Sequence, residues 1–315
     1  MQAVVLEKFG DPEVLVTRDV PPPAPGAGEV LVHVHATSVN PVDTLIRKQG
    51  SWAVTPPAIL GYDVSGTVLA VGPGVHEFSP GDDVYYTPEI GKGPGSYAEF
   101  HVADARIVAK KPWNLSHDEA AAVPLAGGTA FEALFARGRL EPWERVLIHG
   151  GAGGVGSFAV QLAKATGAEV FSTCGDYNLD LVGQLGADRP IDYRKEDFVQ
   201  VILDETSGQG VDLVIDTQGG EVLERSFAAL RPHGRLVTLK SGRPDLSLAQ
   251  QRNLEVQCLL LERSRARLER LSAIIERGMV TPVAEHIWPL ERAAEAHREL
   301  ERGSHRHGKI VLHVS

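Results

Sequence analysis

The period of hydrophobic and polar positions changes once along the chain. In EVLVHVHATSV (29–39) apolar and polar side chains alternate, with Val32 and Val34 on one face and His33 and His35 on the other. That is the period-two pattern of a half-buried strand. Gly and Pro punctuate the flanking segments at PPPAPGAGE, VGPGV, SPGDD and GKGPGS. The first 120 residues therefore read as short strands and turns in a β-rich, Greek-key or barrel arrangement rather than a helical one. After about residue 118 the texture becomes strand–helix alternation. VLIHG, SFAVQLAKATG and AEVFSTC read as strand, helix and strand, and DLVIDTQGG, ERSFAALRPHG and RLVTLKS repeat the unit. Such alternation predicts a parallel sheet covered by helices. LEVQCLLL adds a buried or edge strand. SRARLERLSAIIERG is an amphipathic helix, with Leu268, Leu271, Ile274 and Ile275 at helical spacing. The tail returns to strand (HIWPL), helix (ERAAEAHRELERG) and strand (KIVLHV).

Length and charge narrow the class. A chain of 315 residues, 43% hydrophobic, predicts two domains with a sizeable core. No run of about 18 apolar residues is present to span a membrane, and MQAVVLEKFGD lacks the basic-then-apolar order of a signal peptide. Lys+Arg 31 against Asp+Glu 41 gives net −10, which argues against nucleic acid or an anionic membrane as partner. Cys174 and Cys258 form neither a disulfide framework nor a zinc spacing. A reduced, cytoplasmic globular protein is expected. Cys174 reads as a semi-buried thiol, and the pairs His33/His35 and His305/His307 as solvated surface rather than metal ligands.

Two stretches carry candidate chemistry. Gly151-Ala152-Gly153-Gly154-Val155-Gly156 fits GxGxxG, follows the strand VLIHG and opens a helix, the context that makes this motif informative. Gly151 is expected to permit the tight turn, Gly153 to let backbone N–H groups approach a pyrophosphate, and Gly156 to let helix and sheet pack closely. The diphosphate would sit at the positive end of the helix. The second stretch, ILGYDVSGTV (59–68), sets a phenol and a carboxylate between apolar flanks. Such groups are costly there unless paired or used. A metal site, a catalytic site and a hydrogen-bonded corner are all open from the residues alone.

Several motifs in order, among them NPVDTLIRKQG (40–50), LGYDVSGTVLAVGPGV (60–75), PGDDVY (80–85), AAAVPLAGGTAFEAL (120–134), GGAGGVG (150–156), LGADRPIDYR (185–194) and GVDLVIDTQGG (210–220), resemble the medium-chain dehydrogenase/reductase superfamily, and within it the zinc-free quinone oxidoreductase branch. The resemblance implies an α/β chain: a Rossmann coenzyme domain with a doubly wound parallel sheet over 123–262, and a discontinuous GroES-like β-rich catalytic domain from 1–122 and 263–315. Where zinc relatives carry Cys, His and Cys ligands, this chain has Asn40, Tyr62 and Leu125. The four-Cys structural lobe is also absent, so no metal is expected. Tyr62 and Asn40 become the candidate catalytic donors toward an oxyanion, against the alternatives that Tyr62 packs a wall and Asn40 fixes the turn before Pro41. Asp43 and Asp63 read as structural.

The same resemblance implies the coenzyme contacts: the loop Gly151, Gly153, Gly154, Val155 and Gly156, with Thr129, Thr173, Gly175, Asn178, Tyr193 and Ser241. Thr173 stands where NAD-binding relatives place an acid, and Tyr193, followed by Arg194, lies by the adenosine phosphate in relatives. Asp176 and Asp180 oppose a phosphate, and 174–180 contains no cation. NADPH is expected over NADH by a modest margin, with NADH usable. The function expected is zinc-independent reduction of quinones or α,β-unsaturated carbonyls. The rivals are reduction of simple aldehydes or ketones, and a low-turnover dinucleotide-binding sensor. A homodimer joined through residues 254–261 is expected, because an apolar edge strand is a hazard unless paired.

Overall fold

A computed structural model describes residues 1–50, 53–284 and 286–314. The chain forms two compact units. One comprises Met1–Leu125, Glu262–Gly278 and Pro282–Ser315; the other comprises Ala126–Leu261 and Met279–Thr281. No helix among the described residues is long and apolar enough to cross a membrane.

The second unit is built on a six-stranded, all-parallel sheet. Across it run Arg189–Asp192, Glu169–Cys174, Arg145–His149, Val211–Asp216, Leu230–Thr238 and Glu255–Cys258. Counted in chain order the strands lie third, second, first, fourth, fifth, sixth, the doubly wound order of a dinucleotide-binding sheet. The central strands read as continuous apolar runs because helices cover them. Val146, Leu147, Ile148, Val214 and Ile215 are wholly buried. Phe198 and Ile202 of helix Phe198–Glu205, and Leu223 and Phe227 of helix Gly220–Ala229, pack with Leu147, Val214 and Leu236 in one cluster. The expected strand at 254–261 is shorter, Glu255–Cys258, and occupies the sheet edge.

The first unit holds a seven-stranded sheet, mostly antiparallel. Its axis is the long strand Glu29–Val39, which pairs with Val64–Val71, Phe100–Asp104 and Ile310–His313. Alternate burial along Glu29–Val39 puts Val30, Val32 and Val34 fully inside. His33 and His35 do not lie free in solvent as expected. They are half-buried, with rings 4.7 Å apart, His33 against Phe100 at 5.3 Å and His35 bonded to Thr67 at 3.0 Å. His305 and His307 are likewise half-buried, 6.3 and 6.0 Å from the His286 ring.

The β-rich reading of this unit missed the helices Pro41–Gln49 and His117–Ala121. Asn40 is an N-cap followed by Pro at the first helical position, and the Asp43 carboxylate accepts from the Asn40 N–H at 2.6 Å. That is a helix-start signature, hidden because the strand alternation runs straight into it.

Three histidines are buried and neutral. His101 donates from Nε2 to the Pro94 carbonyl at 3.1 Å and accepts at Nδ1 from the Tyr86 hydroxyl at 2.9 Å. His149 lies between Thr173 and Ser226, and His297 bonds Tyr97. Burial pushes them down to about 4, about 4 and about 3 respectively. Unfolded, each takes up a proton near pH 6.5; folded, each does so only near its depressed value. Acidification from pH 6.5 therefore removes about 1.4 kcal/mol per pH unit for each histidine. Asp43 and Asp63 work the other way, since burial raises their carboxyls, and leave at least one histidine uncompensated. Urea midpoints should fall between pH 6.5 and 4.5, and a midpoint that holds or rises would contradict this account.

Candidate functional site

In the second unit, strand Arg145–His149 feeds the glycine loop and helix Gly154–Thr166. The left-handed turn residue is Gly150, with φ 71°, not Gly151 as the motif suggested. Gly151 is required for close approach instead: a Cβ there would lie 2.0 Å from Ser172 Oγ. A Cβ on Gly156 would lie 2.0 Å from the Gly150 carbonyl oxygen, so the close approach at Gly156 is of the helix start to the glycine loop. Gly153 is different. A Cβ there would meet nothing nearer than 3.4 Å, and Gly153 is the N-cap with no side chain to satisfy the first helical N–H groups. Those unpaired donors and the helix dipole make an anion seat. The residues present fit a dinucleotide diphosphate.

At the end of strand Glu169–Cys174 the Thr173 hydroxyl is already engaged. Ser226 gives its own proton to the Val222 carbonyl, so His149 must donate from Nε2 to Ser226 and accept at Nδ1 from Thr173, 3.0 Å away. The Gly150 N–H donates to the same Thr173 oxygen at 3.2 Å. Thr173 thus braces the glycine loop. Cys174 is more enclosed than a semi-buried thiol, at 3% exposure, and burial pushes its thiol up to about 11.

Cations missing from the local sequence arrive through sheet register. Cys174 pairs with Asp192 across parallel strands, which sets residues 193–195 beside Asp176. Arg194 lies 3.8 Å and Lys195 3.6 Å from the Asp176 carboxylate. The Arg194 guanidinium also lies 5.7 Å from each of the exposed rings of Tyr177 and Tyr193. Sequence reasoning noted Arg194 without its partner and passed over Lys195; the pairing of the two strands was the signal. Gly175 and Asn178 are buried in the same turn, Ser241 is exposed after strand Leu230–Thr238, and Thr129 is nearly buried on helix Pro124–Phe131.

In the first unit a polar cluster gathers around Asp63, which is fully buried. Asp63 Oδ2 accepts from the Ser38 hydroxyl and from Asn40 Nδ2 at 2.8 Å, and Oδ1 from the Leu125 N–H at 2.7 Å. Lys309, 4% exposed, donates to the Asn40 side-chain oxygen and to the Val39 carbonyl at 3.1 Å, and stands 3.6 Å from Asp63. Lys309 escaped the sequence reading because it precedes an ordinary apolar strand. Burial raises the Asp63 carboxyl and lowers the Lys309 ammonium, while each offsets the other's loss of water. Burial pushes Asp43 up to about 7. Tyr62, 2% exposed, is bonded to the Gly91 backbone, and burial raises its phenol above the usual value. Asn40, Tyr62 and Leu125 thus share one neighbourhood, and Leu125 brings it only a backbone N–H and an alkyl chain.

Comparison with known proteins agrees with this architecture. Residues 26–113 match the alcohol dehydrogenase GroES-like domain and 185–312 the zinc-binding dehydrogenase family. The quinone oxidoreductase of Homo sapiens is 32% identical over 325 residues, covering 99% of this chain and 97% of that protein. The chain belongs to the medium-chain dehydrogenase/reductase superfamily. Among solved structures of the superfamily, an NAD-dependent alcohol dehydrogenase matches with TM-score 0.92 and 34% identity, covering 100% of both chains. The Escherichia coli quinone oxidoreductase complexed with NADPH matches with TM-score 0.90 and 30% identity, over 99% of this chain and 100% of that one. This member of the superfamily is an NAD(P)H-dependent oxidoreductase.

Two glycine substitutions separate folding from coenzyme binding. Gly156→Ala should destabilise the chain by about 1–3 kcal/mol, because backbone must shift to admit the methyl group. Gly153→Ala should leave the melting temperature nearly unchanged while weakening dinucleotide binding. Thermal melts and a fluorescence titration check both, and equal loss of stability in the two variants would refute the assignment.

Proposed function

We propose that this chain reduces quinones and α,β-unsaturated carbonyls with NADPH and without a metal. The observation that carries the reading is the Asp63 cluster. Its cation is Lys309, and the three positions that bind zinc in relatives supply an amide, a phenol bonded to backbone and an alkyl chain. Zinc takes Cys, His or carboxylate in tetrahedral sets, so this donor set suits an acceptor that needs no Lewis acid. When bound, the reduced nicotinamide supplies a hydride to the acceptor. The charge left on an acceptor oxygen is then met by hydrogen-bond donors, and Asn40 and Tyr62 are the two assigned here. Tyr62 keeps its proton at every physiological pH, and its oxygen, in accepting from Gly91, leaves that proton to give.

In the coenzyme unit, Gly153 and the start of helix Gly154–Thr166 hold the diphosphate, and Thr129, Gly175, Asn178 and Ser241 line the remaining contacts. Arg194 and Lys195 turn from Asp176 to a 2′-phosphate, with Tyr193 as a neutral donor. Because Asp176 competes for both cations, the preference for NADPH is modest. The edge strand Glu255–Cys258, with its flanks from 254 to 261, is the seam of a homodimer, and light scattering that shows a stable monomer at micromolar concentration would remove that part of the reading.

The experiment is an acceptor panel of quinones, enals, enones and simple ketones, with NADPH and NADH compared and a chelator present. Quinones or enones should turn over, NADPH should be favoured roughly tenfold, and the chelator should change nothing. Turnover confined to simple aldehydes or ketones would support an alcohol-dehydrogenase-like chemistry instead, and coenzyme binding without any turnover a sensor. Arg194→Ala should bring the two coenzymes to near parity by removing a charge-assisted bond, and an unchanged preference would show that the phosphate lies elsewhere.

A further inference from the structure

Asn40 is the residue of the Asp63 cluster whose two side-chain ends meet opposite charges. Its carbonyl oxygen accepts from the Lys309 ammonium, and its nitrogen donates to Asp63 Oδ2 at 2.8 Å. Turned by 180°, the amide would set its N–H groups against the ammonium and its oxygen against the carboxylate. With both partners buried, no water could relieve those contacts, so one orientation alone is permitted. Lys309 is itself pinned, by the Val39 carbonyl at 3.1 Å and by Asp63 at 3.6 Å. One Asn40 amide proton is held by Asp63. The other has only the Ser38 carbonyl at 3.5 Å, a contact at the limit of a hydrogen bond. A strong bond accepted at the oxygen end polarises the amide and strengthens whatever its nitrogen donates.

We propose that Lys309 is a positioning residue for the reduction: its buried ammonium holds the Asn40 amide in a single orientation, with the second N–H offered to the acceptor oxygen. The inference rests on the proposed reaction for its purpose, but the orientation itself is a property of the resting protein. Lys309 acts through Asn40 and touches no reactant.

The first test needs no turnover. In the full-length, 15N-labelled chain, the side-chain amide pair assigned to Asn40 by its absence in Asn40→Ala should be sharp and slow to exchange. Lys309→Met should broaden it or speed exchange at least roughly tenfold, the consequence of losing a charged partner. An unmoved pair overturns the proposal. The second test is a double-mutant cycle with a quinone acceptor. Lys309→Met and Asn40→Ala should each lower kcat by roughly an order of magnitude with NADPH affinity unchanged, and the double variant should lose no more than Asn40→Ala alone. Additive losses, or a stability loss with kcat intact, overturn it. If Lys309→Met fails to fold, Lys309→Leu, which also offers no donor to the Asn40 oxygen, is read in the same two ways. Wild-type protein that turns over no quinone refutes the proposed reaction, while the amide resonances still decide the role of Lys309.

Discussion

The first unit depends on the buried carboxylate of Asp63. An ionised carboxylate taken out of water is expensive, and the attraction of one counter-charge repays it only if the remaining lone pairs are also met. Here they are met by a hydroxyl, an amide, a backbone N–H and, 3.6 Å away, an ammonium. The partners come from three stretches of chain besides that of Asp63 itself: the strand end and helix cap at Ser38 and Asn40, the chain at Leu125 and, just before the strand Ile310–His313, Lys309. One ion therefore fixes four segments in register, although residues 38 and 309 lie at opposite ends of the sequence. Removal of Lys309 would leave a buried charge without its counter-charge, and removal of any neutral donor would leave a buried lone pair unmet, a cost of about 1–3 kcal/mol.

The coenzyme unit obeys a constraint of another kind. Its loop is shaped by the space that side chains would take. The carbonyl of Gly150 and the hydroxyl of Ser172 leave no room for a Cβ at Gly156 or Gly151, while a Cβ at Gly153 would meet only the Gly150 oxygen, at 3.4 Å. Thr173 and His149 then lock the loop from below through hydrogen bonds whose directions follow from Ser226. A polar bridge holds the rim, and the first N–H groups of helix Gly154–Thr166 have no side-chain cap.

What was legible in sequence was local. The alternation of Glu29–Val39, the strand–loop–helix around Gly151 and the amphipathic helix with Leu268 and Leu271 buried inside follow from periods of two and 3.6, which neighbouring residues carry by themselves. The helix at Pro41 was missed because its N-cap also ends a strand. The roles of Lys309, Lys195 and Thr173 were illegible for a different reason. Lys309 acts on Asn40, 269 positions away; Lys195 reaches Asp176 only through the register of two parallel strands; and the Thr173 proton is directed by a serine 53 positions on, through His149. No period encodes such pairings.

The contrast bears on how the two halves of the candidate chemistry divide their work. Under the proposed function, coenzyme recognition would use backbone donors and exposed cations, groups that water also reaches, so its selectivity would be graded: Asp176 already lies against Arg194 and Lys195, and both are largely solvated. The Asp63 cluster is buried, with the Lys309 ammonium facing the carboxyls of both Asp63 and Asp43, so the Asn40 amide cannot turn without stranding a charge. A donor held in such a place loses little on meeting a developing oxyanion, because nothing must reorganise when the charge appears. A metal obtains the same effect through bond strength and fixed coordination. An amide obtains it only if something else prevents its rotation, and in this fold the ammonium of Lys309 and the carboxylate of Asp63 are the pair placed to prevent it.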